Sequence, residues 1–222
     1  MTTDTTSATG SRHTPATVPA TQRFERWLPL TGIVAGLLFA LGAFSPSGPS
    51  DPADPTLSTW LQSHQTLETL NGLAAGLLSI AMLFFAVALR YWLRARDDAS
   101  AFPTLAFAGG VAVALASGLN GTITLACVDA ATHHKIEALQ ALSYLGSNAW
   151  LPWITGSAAL YLGVGLGGKR AGVLPRWVTL PSIVLGVLCL SGPGGQLVYV
   201  VTPLWLVCTG VVLTRRVNGE LA

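Results

Sequence analysis

Long stretches of this chain carry no charged side chain, and that feature excludes most folds. The uncharged runs are 27–50, 69–89, 99–128, 138–168 and 177–214. A helix of about 20 residues rises about 30 Å, the thickness of the hydrocarbon core of a bilayer. Charged residues make up only 10% of the sequence and apolar residues 51%, whereas ordinary soluble domains carry roughly 25% charge. A soluble fold would have to bury every run with almost no charged surface around it. The expectation is an all-α fold, a polytopic transmembrane bundle.

The apolar runs place spans at about 27–44, 71–90, 103–127, 138–166, 177–191 and 197–214. The fourth is long enough to tilt or kink. The run from Trp177 to Thr214 is too long for one span, and Gly192-Pro193-Gly194-Gly195 at its middle is a turn signal. It is therefore read as a hairpin of two short helices. Residues 1–26, rich in Thr, Ser, Ala and Pro, read as a disordered cytoplasmic tail, and 217–222 as a short cytoplasmic tail. A cleaved signal peptide is the rival reading of the first span, with Ala40-Leu41-Gly42 as the cleavage site; the long preceding tail and long apolar run favour a retained anchor. After the loop 45–53, Asp54 is the expected N-cap and Pro55 the first helical residue. Leu57, Trp60, Leu61, His64 and Leu67 then follow at helical spacing. They predict a short amphipathic helix lying on the outer membrane surface.

Charge placement orients the bundle. Cytoplasmic loops carry excess Lys and Arg. With six spans, Arg12, Arg23, Arg26, Arg90, Arg94, Arg96, Lys169, Arg170, Arg176, Arg215 and Arg216 fall on one side, and only Lys135 on the other. With five, Arg215 and Arg216 would move outside. The expected arrangement is six spans over 27–216 with both termini in the cytoplasm. Residue usage fits a high-GC bacterium, hence a bacterial cytoplasmic membrane.

The stretches DPTLSTWLQSHQ (54–65), FFAVALRYWLRAR (84–96), GVLPRWV (172–178) and PLWLVCTGVVLTRR (203–216) resemble a group of six-helix actinobacterial integral membrane proteins, a domain of unknown function (DUF4386-like). The resemblance runs over nearly the whole chain after residue 27. It implies topology and no activity, cofactor or catalytic residue.

No charged residue lies inside any expected span, although proton relays and ion-coupled pumps usually need one. Uncharged polar residues do align. In span four Gln140, Ser143, Tyr144, Ser147 and Asn148 share one helical face; in span three Ser117, Asn120, Gly121 and Thr124 do; in the last span Gln196, Tyr199 and Thr202 do. Asn120, Thr124, Gln140, Tyr144, Asn148 and Tyr199 form the candidate polar pocket. Asn148 is expected near mid-membrane, and Pro152 cannot donate the helical hydrogen bond to its carbonyl. The alternative is structural: such residues commonly link helices by hydrogen bonds, and Gly32/Gly36, Gly72/Gly76 and Gly110/Ala114/Gly118 have the spacing of close helix contacts.

An outer-loop metal site is a weaker alternative, built from Asp129, His133, His134 and Glu137 with His64. Cys127 and Cys189 both fall near the outer face, and free buried thiols are expected over a disulfide. No soluble-enzyme motif and no basic face for nucleic acid is present. Three functions remain. The first is a non-catalytic scaffold or partner subunit, which needs neither metal nor cofactor and whose partners are the lipid bilayer and a protein or second copy. The second is a passive small-solute carrier or binding protein with an outward polar vestibule. The third is a membrane enzyme using the loop histidines.

Overall fold

A computed structural model describes residues 27–220 except 47, 50, 97, 98, 192 and 193, with the side chains of 217, 218 and 220 left out. The expected N-terminal tail lies outside the described residues, as do the turn residues Gly192 and Pro193 and the final residues 221 and 222. The chain is all-helical, with no strand among the described residues: α1 Leu30–Ala43, α2 Leu57–Ser63, α3 Gln65–Arg94, α4 Phe102–Thr132, α5 Ile136–Asn148, α6 Trp150–Ala171, α7 Arg176–Cys189 and α8 Gly194–Glu220. Four units are long and apolar enough to cross a membrane: α3, α4, the α5–α6 pair and α8; α1 and α7 are shorter apolar helices.

Local sequence explains most boundaries. Pro103 sits in the first turn of α4, where its missing N–H costs nothing. Gly172 ends α6 at φ 65°, a left-handed conformation that suits a residue without Cβ. The expected fourth span is two helices broken at Ala149. Pro152 is the physical reason, since it withholds a donor from the preceding turn and crowds it. The long helices also outrun the expected spans, α3 beginning at Gln65 and α8 continuing to Glu220. Hydropathy marks only the apolar middle of a helix whose polar ends extend beyond it.

The start of α2 differs from expectation. Asp54 Oδ1 accepts hydrogen bonds from the Thr56 hydroxyl at 2.6 Å and the Thr56 N–H at 2.8 Å. That turn takes up Pro55 and Thr56, so regular helix begins at Leu57. The Thr56 side chain, then its N–H, holds the Asp54 carboxyl below the usual carboxylate range. A carboxylate with a lowered pKa supports the fold above its unfolded value and loses that support as pH falls through the folded one. Protection of the Thr56 amide, taken relative to its intrinsic exchange rate at each pH, is therefore expected to hold at neutral pH and to fall only below the ordinary carboxylate range; Asp54→Ala should remove it at all pH values.

Six helices form a closed ring in the order α1, α3, α4, α6, α7, α8 and back to α1, with α3 also touching α6 across it. Fully buried Phe85, Leu89, Tyr161, Val164, Val198 and Leu206 fill its interior. Glycine lets the helix backbones approach closely. A Cβ on Gly109 would meet the Leu160 backbone nitrogen and, at 2.7 Å, the Gly156 carbonyl; one on Gly121 would meet the Gly72 carbonyl at 2.7 Å. A satellite core lies beneath α2, where Leu57 and Leu61 pack with Ile123, Val128, Ala131 and Leu139. The apolar face of the short amphipathic helix is thus covered by protein, and Gln62 Nε2 donates to the Ala131 carbonyl at 2.8 Å to tie it down.

The outer surface of the ring is apolar. On α3, Leu73, Leu77, Ile80, Phe84, Val87 and Tyr91 repeat every three or four residues and are all exposed. Trp177, Leu180, Val184 and Val187 do the same on α7. In a water-soluble helix such stripes face the core. Here they face out, which makes the molecule compatible with a membrane and poorly compatible with water.

Candidate functional site

The two ends of the ring differ in charge. At one end Arg216 Nη1 donates to the Gly172 carbonyl at 3.4 Å, and Arg96 and Arg216 border a small hollow with Trp92, Val173 and Leu213. At the other end, around α2 and the α4–α5 turn, the described carboxylates are Asp51, Asp54, Glu68, Asp129 and Glu137, and the one described lysine is Lys135.

A cavity of about 440 Å³ opens at this acidic end. Its lining includes Ser45, Gly48, Trp60, Glu68 and Asn71, with Phe39, Leu78, Ser117, Trp153 and Tyr199. The kink at Ala149 brings Gly146, Ala149 and Trp150 into one wall. Small residues, Gly42, Ala74, Ala75 and Ala116, keep the space open. Its volume lies in the range of small-ligand sites, and its lining has their character, mostly apolar with a few polar groups.

Of the six sequence-based candidates, Asn120, Thr124 and Tyr199 line this cavity. Thr124 Oγ1 donates within its own helix to the Asn120 carbonyl at 3.0 Å. The Asn120 amide makes no side-chain hydrogen bond to another described residue. Tyr199 stands in a three-ring cluster, its centroid 4.9 Å from Phe39 and 5.2 Å from Trp153, with Phe39 and Trp153 5.6 Å apart. Pro203 also leaves the Tyr199 carbonyl without its helical donor.

Gln140, Tyr144 and Asn148 lie outside the cavity lining. Tyr144 is 53% exposed, and the Asn148 side chain is exposed and donates to the Tyr144 carbonyl of its own helix at 2.9 Å. All three share one face of the unbroken helix α5, and the cavity meets a different part of it, at Gly146 and Ala149. Because Asn148 ties no two helices together, Asn148→Leu is expected to be neutral within about 0.5 kcal/mol, or stabilising, in thermal unfolding of the purified protein.

Other polar residues join helices instead. Tyr161 and Thr202 hydroxyls lie 2.6 Å apart in the buried core, and Trp205 Nε1 donates to Ser182 Oγ at 2.8 Å. The last-span stripe therefore splits, Tyr199 to the cavity and Thr202 to the packing. Sequence reasoning missed Glu68, Asn71, Trp60, Phe39 and Trp153. Glu68 and Asn71 sit at the first turns of α3, and the signal that would have found them is their shared face with Ala74, Ala75 and Leu78. Asn71 Nδ2 donates to Ser45 Oγ at 2.9 Å and to Glu68 Oε1 at 3.4 Å.

The loop histidines are engaged separately. His133 Nδ1 lies 3.3 Å from Asp129 Oδ1, His134 Nδ1 lies 3.4 Å from Gln62 Nε2, and the His64 ring stacks on Trp60 at 4.5 Å. Among the described residues no three His, Cys, Asp or Glu side chains are grouped to hold a metal ion. Cys127, Cys189 and Cys208 are free thiols.

The class that these features define is an all-helical protein with several apolar helices, compatible with an integral membrane protein. No family model, curated protein or solved structure matches the chain.

Proposed function

We propose that this is a multi-pass membrane protein that binds a small solute in a pocket opening on the outer face. In this reading the chain crosses a bacterial cytoplasmic membrane six times, by α1, α3, α4, the kinked α5–α6 unit, α7 and α8. The helix α2 covers the outer end, and both termini are cytoplasmic. The segregation of Arg and Lys to one end supports that orientation. With 14 residues each, α1 and α7 rise about 21 Å, so their crossings draw on flanking residues or a locally thinned bilayer. Membership of the DUF4386-like group belongs to the same proposal and rests on the four stretches quoted above.

The observation that carries the binding reading is the cavity of about 440 Å³, which Asn120, Thr124 and Tyr199 line. A scaffold held together by its polar stripes would pair those groups and close the space. Here the pairing polar groups, Tyr161 with Thr202 and Trp205 with Ser182, lie elsewhere in the core. Binding needs no catalytic residue.

Thiol labelling tests this reading. In a background with Cys127, Cys189 and Cys208 changed to alanine, Asn120→Cys is expected to react with a membrane-impermeant maleimide added outside intact cells. Ser182→Cys, in the packed core, should stay unlabelled. An inert Asn120→Cys would remove the vestibule and return the scaffold reading to first place.

A further inference from the structure

We infer that the pocket takes an organic cation with an apolar body, its ammonium group at Glu68 and its body against the rings of Phe39, Trp153 and Tyr199. This rests on the binding reading above and adds the chemical class of the ligand.

Three observations lead there. Among the described residues Glu68 is the one charged residue that lines the cavity; its carboxylate accepts one long side-chain hydrogen bond, from Asn71, with His64 nearby. A carboxylate with so few donors has acceptor capacity left for an ammonium group. Part of the cavity lining is aromatic. Ring faces attract cations and also bury apolar groups well, so the rings accept either the body of a ligand or the methylenes next to its charge. The cavity lies in a field set by carboxylates at Asp51, Asp54, Glu68, Asp129 and Glu137 against Lys135 among the described residues. Such a field raises the local concentration of cations and repels anions.

The dimensions narrow the class further. Glu68 and Leu78 both line the cavity from the same helix, and ten helical residues rise about 15 Å. A compact inorganic cation would leave the aromatic rings uncovered, whereas an elongated amine reaches both Glu68 and the rings. Amines of that shape come from two sources, a free solute or the ethanolamine headgroup of a lipid entering from the membrane.

The test uses the full-length protein in dodecyl maltoside, which has no amine, and follows tryptophan fluorescence. The probes are 4-phenylbutylamine and its neutral counterpart 4-phenylbutanol. The amine is expected to bind at least tenfold more tightly than the alcohol. Glu68→Gln should bring the amine down to the affinity of the alcohol, while Asp129→Asn, a carboxylate outside the lining, should leave the preference intact. Should Glu68→Gln fail to fold, the amine-to-alcohol ratio of the wild type decides alone. Equal affinities in the wild type, or a preference that survives Glu68→Gln, would overturn the inference. So would the binding of neither probe: with Asn120→Cys reactive, the cation assignment then fails and the pocket stands; with it inert, both fail. Repeating the titration with phosphatidylethanolamine in the micelles separates the sources. Competition by the lipid supports a headgroup, and an unchanged amine affinity supports a free solute.

Discussion

Gly109→Ala is expected to destabilise the protein by about 2–3 kcal/mol, the upper part of the range for overpacking, although the change adds a single methyl group. The added carbon would meet the Leu160 backbone nitrogen, the Gly156 carbonyl at 2.7 Å and the Ala159 carbonyl carbon at 2.8 Å. All of these are main-chain atoms, so no rotamer change relieves the contact, and α4 and α6 must move apart. The seam is built this way along its length: a Cβ on Gly156 would meet Val113 N at 2.9 Å, and one on Gly163 would meet the Ala106 nitrogen. Gly76→Ala on α3 makes the sign of the effect testable. A Cβ there meets nothing within 4 Å, so the better helix propensity of alanine should raise stability by about 0.5–1 kcal/mol. Thermal unfolding of both variants in one detergent checks the pair, and two changes of the same sign would refute the close-packed seam.

Tyr161→Ala should cost about 3–5 kcal/mol, the scale for removing a large aromatic side chain from a packed core. Tyr161 is fully buried, and its ring stands edge-on to Trp205 at 4.6 Å and 83°. Thr202 Oγ1 already donates to the Val198 carbonyl at 2.7 Å, so the phenol is the donor in the 2.6 Å contact with Thr202. Tyr161→Phe keeps the ring and loses only that hydrogen bond, for about 0.6 kcal/mol on the average of such bonds between membrane helices. The gap between the two variants separates packing from hydrogen bonding. If Phe and Ala proved equally harmful, the hydroxyl pair and not the ring would be holding α6 to α8. In a double-mutant cycle, Tyr161→Phe and Thr202→Val should be less costly together than their sum, because each removes the same bond.

The helical architecture was legible because uncharged runs and basic clusters are coarse signals that survive boundary errors. Pro103 marks a helix start by local chemistry alone, at the place where the third span was expected to begin. The site was half legible. Asn120, Thr124 and Tyr199 stand out as polar or aromatic residues in apolar helices, and each helix presents them without interruption. Gln140, Tyr144 and Asn148 obey the same rule and do share a face of α5, but that face is not the one turned to the cavity, which meets Gly146 and Ala149 instead. Glu68 and Asn71 escaped because they lie before the apolar stretch, where hydropathy shows only an approach to the membrane. Phe39 and Trp153 were hidden differently. Nothing local distinguishes an aromatic that packs from one that lines a space, since the difference lies in which helix stands opposite.

Closure of the ring has a consequence for biosynthesis. The first helix packs on α3 and on α8, so one of its two seams pairs segments from opposite ends of the sequence. Until α8 has been made, Gly36 has no Pro203 carbonyl and Val207 side chain to lie against, and α1 must wait with that face open. Contacts between distant segments form late because a long intervening chain must be ordered first. A nascent chain arrested before residue 194 should therefore hold α3, α4 and α6 together while α1 remains loosely attached. Release of the last helix is then the event that turns an open row of helices into a closed vessel.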